Sequence, residues 1–161
     1  MTTPNAELQV QTFDFSKEVE IAAPIDITFE SVLAELGPEG QMPPDGKPFQ
    51  MTIEARPGGR WYRDLGNDAG HFWGHVQVIK PPTLLELCGP MFVSYPSANH
   101  LQYRLSAEGD ARTRLRITHR AFGYFPKNFI EGANEGWLFK LKRIGEIAEQ
   151  IKRGGRKGAL R

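Results

Sequence analysis

The chain has 161 residues, 40% of them hydrophobic and 24% charged, with a net charge of +1. That length fits one domain spanning 1–161, and the near-neutral charge argues against a nucleic-acid footprint over its whole surface. A single cysteine, Cys88, excludes an intrachain disulfide and a multi-cysteine metal site, and no apolar run is long enough to span a bilayer.

The N-terminal stretch has neither a basic segment nor an apolar one, so the expected location is cytoplasmic, without membrane insertion. Over 12–22, Phe13, Phe15, Val19 and Ile21 alternate with Asp14, Ser16, Glu18 and Glu20, the pattern of a half-buried strand. Pro24 suits a first helical turn, Ile25, Phe29, Val32, Leu33 and Leu36 recur at helical spacing, and Gly37-Pro38 ends the helix. Residues 37–48 are rich in proline and glycine and read as a loop. Six short segments follow, 49–55, 60–65, 71–80, 83–88, 100–107 and 112–122, each closed by turn residues, which predicts an antiparallel meander. In 112–122, Leu115, Ile117, His119 and Ala121 share one face, and Arg114, Arg116, Thr118 and Arg120 the other. The same parity turns Leu101, Tyr103 and Leu105 inward. Ile130, Ala133, Trp137, Leu141, Ile144, Ala148 and Ile151 mark a long amphipathic helix over about 128–151. The expected architecture is α+β in the order β-α-β6-α, a curved antiparallel sheet of six or seven strands gripping the C-terminal helix, with the core over about 13–152.

The charges are unevenly placed. Residues 1–30 hold six acids against one base, Lys17, whereas 152–161 hold five bases and no acid. The segment 153–161 reads as a flexible basic tail, dispensable for folding, with no nucleic-acid partner expected beyond weak contacts of that tail.

Five stretches carry a resemblance. They are Val19-Glu20-Ile21-Ala22-Ala23-Pro24, Pro57-Gly58-Gly59, the G-x-V-x-x-I-x-P-P turn from Gly74 to Pro82, the strand Leu115-Arg116-Ile117-Thr118-His119-Arg120-Ala121-Phe122, and Glu135-Gly136-Trp137 with Leu141. In this order they resemble the START-like (SRPBCC, helix-grip) superfamily, and within it the family named for the C-terminal domain of the activator of Hsp90 ATPase. The family's T-H-x-G-F strand has Ala121 in place of glycine here, and 37–48 and 89–99 depart from its shortest members. The resemblance implies the fold but no single function, since the fold hosts ligand carriers, cyclases, hydroxylase domains and co-chaperones.

The candidate chemistry is sparse. His71 and His75 lie four apart on a strand, roughly 13 Å, too far to share one zinc, so no metal is expected. The run from Asp64 to Gly70 reads as a hairpin turn rather than a calcium loop, having His75 where a Glu would be needed. Cys88 reads as a core thiol, or as a nucleophile if His119 or His100 lies beside it. His119, on an otherwise apolar face, is either a satisfied structural imidazole or a hydrogen-bonding anchor in a ligand cavity. The aromatic side chains either fill the core or leave space in it. If space remains, Trp61, Phe72, Trp73, Tyr103, His119 and Trp137 are the expected cavity residues.

The expected function is binding of a small hydrophobic or aromatic molecule between the sheet and the C-terminal helix, with no cofactor. One alternative is a protein-interaction module like the Hsp90-activator domain, using a protein partner. Another is a cyclase- or aromatase-like enzyme, with His119, Tyr103 or a cavity acid in proton transfer.

Overall fold

Alternation over β1 (Leu8–Ile21) buries Phe13 and Ile21 on the inner side and leaves its acids outside. These coordinates are a computed structural model, which describes residues 8–154; most of the basic tail lies outside the described residues. β1 pairs antiparallel with β9 (Arg112–Pro126), setting Val19 beside Leu115 and Phe15 beside His119. On the outer face this register brings Asp14 to Arg120 (3.4 Å), Glu18 to Arg114 (3.1 Å) and Glu20 to Arg112 (2.6 Å). Asp14, Glu18 and Glu20, three of the acids near the N-terminus, are therefore the counter-charge of one strand. Such exposed pairs contribute about 0–1 kcal/mol each and fix register more than stability.

Helix α1 (Ile25–Glu35) starts after Pro24 and stops at Leu36. Residues 37–48, expected as a plain loop, carry a small two-stranded sheet, β2 (Gln41–Met42) with β3 (Lys47–Pro48). The meander continues through β4 (Thr52–Ile53), β5 (Arg60–Gly66), β6 (Ala69–Lys80), β7 (Leu84–Gly89) and β8 (Ser97–Glu108). With β1 and β9 these form a seven-stranded sheet in the order β1-β9-β8-β7-β6-β5-β4. The β5–β6 hairpin turns at Asn67 and Asp68, both at positive φ, as a two-residue hairpin turn requires.

The long helix α2 (Phe129–Lys152) lies against the inner face of the sheet and also packs on α1. Trp137, Leu141, Ile144 and Ala148 are buried there with Leu85, Leu87, Leu101, Tyr103, Leu115 and Ile117. The N-terminal end of the stripe departs from expectation. Ile130 is exposed, and Phe129 instead stacks on Phe125 at 4.2 Å. This is the helix-grip fold, α+β.

Candidate functional site

The inner face is not completely filled. A cavity of about 380 Å³, open at one side and mostly apolar, remains between the N-terminal half of α2 and the sheet. The helix contributes Phe129, Gly132, Ala133, Gly136, Trp137 and Lys140, positions spaced by three and four and hence on one face. A Cβ at Gly132 or Gly136 would meet nothing within 4 Å. Glycine inside a helix costs about 1 kcal/mol relative to alanine, so these two open the cavity at the expense of helix stability.

The sheet side is formed by Trp73, Asn99 and His119. Trp73 is placed by a register shift: Trp61 pairs with Gly74, but Tyr62 pairs with Phe72. The bulge leaves Trp73 opposite neither and turns it inward, where it meets Trp61 at 5.5 Å and Phe92 at 4.9 Å. Immediately beyond, Gly74 and Gly89 pack backbone against backbone, and a Cβ at Gly89 would fall 2.4 Å from the Gly74 Cα. Met91 N–H then donates to the Trp73 carbonyl (2.9 Å), holding the loop 89–99 over the mouth. Met91, Phe92, Val93 and Ser94 from that loop, with Gln41, Met42 and Pro43, complete the wall. The two segments without a role in the sequence reading thus supply part of the cavity wall.

Of the six side chains expected to line a cavity, Trp73, His119 and Trp137 do so. Trp61 and Tyr103 point inward but lie behind it, both fully buried. The Trp61 Nε1–H donates to the Leu36 carbonyl (2.8 Å), which ties it to the end of α1. Phe72 lies outside the cavity, exposed and against His75, because the bulge at Trp73 sends it to the opposite face. His71 reaches the rim and stacks on Trp73, whereas His75 bonds the Gly58 carbonyl. Among the described residues no group of three or more His, Cys, Asp or Glu could hold a metal. Cys88 sits across from His100, whose Nε2 meets Glu86 (3.0 Å), and no hydrogen bond joins Cys88 to either His100 or His119.

His119 is buried and doubly bonded. An indole can only donate, so Trp137 Nε1–H gives its proton to His119 Nδ1 (2.9 Å). The ring proton therefore sits on Nε2 and is donated to Asn99 Oδ1 (2.7 Å). Asn99 Nδ2 in turn donates to Ser97 Oγ (3.1 Å) and to the Pro90 carbonyl (3.3 Å). The donor and acceptor that would orient a ligand are thus already used, and His119 ties α2 to the sheet and to the base of the loop 89–99. Burial, with a smaller push from His100, lowers its pKa from 6.5 to about 4. The unfolded chain binds that proton below about pH 6.5 and the native one only near 4, so acidification favours unfolding between those values. The loss approaches an amount on the order of 3 kcal/mol below pH 4. Urea unfolding at pH 7.5 and pH 5 should show a drop of about 2 kcal/mol that His119→Gln removes; an equal drop in both proteins would assign it to other groups.

The sequence reading passed over Lys140 and Glu35. Lys140, on α2, is 8% exposed and lines the cavity, and its Nζ meets Glu35 Oε1 at 2.7 Å. Glu35 ends α1 and is fully buried, and its Oε2 has no hydrogen-bond partner. The Tyr103 hydroxyl is also buried without a partner, and burial followed by the charge of Glu35 pushes its pKa well up. The signal available in sequence was slight: Lys140 stands between Trp137 and Leu141, at the border of the apolar stripe.

No family model and no curated protein matches the sequence. Solved structures do match by shape. A putative uncharacterized protein from Rhizobium leguminosarum superposes with a TM-score of 0.65 at 18% identity, over 89% of this chain and 98% of that one. The Zhui aromatase/cyclase from Streptomyces sp. R1128 gives 0.63 at 17% identity, over 89% and 98%. The Mll3558 protein from Rhizobium loti gives 0.62 at 20% identity, over 86% and 99%. At these identities the likeness concerns the fold, and with the topology above it establishes that the chain has the helix-grip fold, shared with an aromatase/cyclase.

Proposed function

We propose that this protein binds a small hydrophobic or aromatic molecule in the cavity between α2 and the sheet. The observation that carries the reading is an aromatic-lined, half-open space of about 380 Å³ at a place where Gly132 and Gly136 keep the helix face bare. Ligand pockets occupy about 300–1,000 Å³ and are mostly apolar with a few placed polar groups. A protein that needed only a core would gain stability from larger residues there. Gly136→Leu tests this. The side chain should fill the cavity and abolish saturable binding of naphthalene, followed through the Trp73 and Trp137 indole signals by NMR. Helix propensity should raise stability by about 0.8 kcal/mol at the same time. Absence of saturable binding to the wild type, or equal binding by the variant, would count against the reading.

The comparisons support the helix-grip fold and not the narrower resemblance to the Hsp90-activator family. A protein-interaction role would draw on the exposed Val10, Phe122 and Tyr124, which cluster on the outer face of the β1–β9 pair, away from the cavity. Nothing about that patch specifies a partner. An aromatase- or cyclase-like role is not favoured, because His119 has both ring nitrogens engaged and Tyr103 lies behind the cavity wall.

A further inference from the structure

We infer that Lys140, held by Glu35, selects for an uncharged aromatic ligand carrying a carbonyl or similar acceptor oxygen. This rests on the binding reading above and names the ligand class.

A buried ion pair is a poor stabilising device, since desolvation of both charges offsets their attraction and an apolar pair of similar volume does as well or better. The Glu35–Lys140 pair is also incompletely satisfied. An ammonium has three N–H donors, and one of them goes to Glu35 Oε1. The Nζ also lies 5.1 Å over the Phe92 ring, which belongs to the loop at the cavity mouth. Among the described residues no further acceptor bonds Lys140 Nζ, and Lys140 lines the cavity.

Two other polar side chains on the wall, His119 and Asn99, are committed elsewhere, whereas Gln41, His71 and Ser94 lie at the mouth. His119 bonds Trp137 and Asn99, and the Asn99 amide nitrogen bonds Pro90 and Ser97. Lys140 is thus the cavity's strongest donor with unused capacity. Its charge is already balanced by a carboxylate 2.7 Å away, so the site offers N–H groups without a net positive charge. A neutral acceptor gains a charge-assisted hydrogen bond there. A carboxylate would gain the same bond, but against repulsion by Glu35 and with the loss of its own hydration in an apolar cavity.

The test uses the full chain and three probes: naphthalene, 2-acetylnaphthalene and 2-naphthoate. Dissociation constants are read from the Trp73 and Trp137 indole N–H shifts in the wild type and in Glu35→Leu/Lys140→Met, which removes both charges together. In the wild type 2-acetylnaphthalene should bind about tenfold more tightly than naphthalene, as expected for a hydrogen bond to a charged donor. It should also bind more tightly than 2-naphthoate. In the double variant the preference for the acetyl compound should be lost, the ratio of the naphthalene and 2-acetylnaphthalene dissociation constants falling to about one. Equal binding of naphthalene and 2-acetylnaphthalene by the wild type would overturn the inference while leaving the cavity a binding site, whatever the variant's stability. A preference retained in the double variant would also overturn it, as would tighter binding of 2-naphthoate. If the wild type binds none of the three probes, the binding reading itself fails.

Discussion

Trp137→Ala is expected to lower the unfolding free energy by about 3–5 kcal/mol, the range for large aromatic truncations in cores. Trp137 is 4% exposed and faces the sheet from the middle of α2. Its ring lies edge-on to His119, with centroids 5.4 Å apart, and its Nε1–H is the donor to His119 Nδ1. Truncation therefore enlarges an existing cavity and leaves a buried imidazole nitrogen without its donor. Trp137→Phe separates the two effects. It keeps most of the apolar area and should cost about 1–3 kcal/mol for the buried His119 nitrogen left without its donor, plus a small packing loss. Urea unfolding with a common slope measures both. An unchanged midpoint in Trp137→Ala would mean that α2 does not present this face to the sheet.

Lys140→Met alone is expected to destabilise by a similar amount, about 3–5 kcal/mol, because it leaves Glu35 charged and buried without a partner. The side chains are 10% exposed for Lys140 and 0% for Glu35, so little solvent is at hand to compensate. The informative comparison is with Glu35→Leu/Lys140→Met, which should recover most of that loss or exceed the wild type, since two apolar side chains replace two desolvated charges. The same logic makes Glu35→Leu alone nearly as damaging as Lys140→Met alone. Thermal unfolding of the three variants forms a double-mutant cycle, and a coupling near zero would show that the pair is hydrated and not buried in solution.

The wall of the cavity connects these expectations to function. Both Trp137 and Lys140 belong to the helix face that also carries Gly132 and Gly136. That face supplies a hydrogen bond to His119, an ammonium and open space within about two helical turns. Stability and binding therefore respond differently along it: filling Gly136 should raise stability and remove binding, whereas truncating Trp137 should lower stability and widen the cavity.

What the sequence determined by itself was everything governed by a local period. Strand parity set Leu115, Ile117 and His119 inward and Arg114, Arg116 and Arg120 outward, because successive side chains in a strand must point to opposite faces. Helical spacing likewise placed Trp137, Leu141, Ile144 and Ala148 on the buried face of α2. Parity fails where the period is broken. One bulge residue at Trp73 put Phe72 outside, and the neighbouring Gly74 was the one residue type in that stretch that hinted at it. Parity also says only that Trp61 and Tyr103 face inward, not whether another chain segment covers them. The loops 37–48 and 89–99 have no period to read, and their place at the cavity mouth follows from contacts such as Met91 with Trp73. The polar groups were the least legible. Lys140 and Glu35 are separated by 105 positions, and His119 finds its partners 18 and 20 positions away. A hydrogen bond between distant segments depends on the packing of whole elements in three dimensions, so the tertiary structure alone decided that His119 is occupied and that Lys140 faces the cavity with donors to spare.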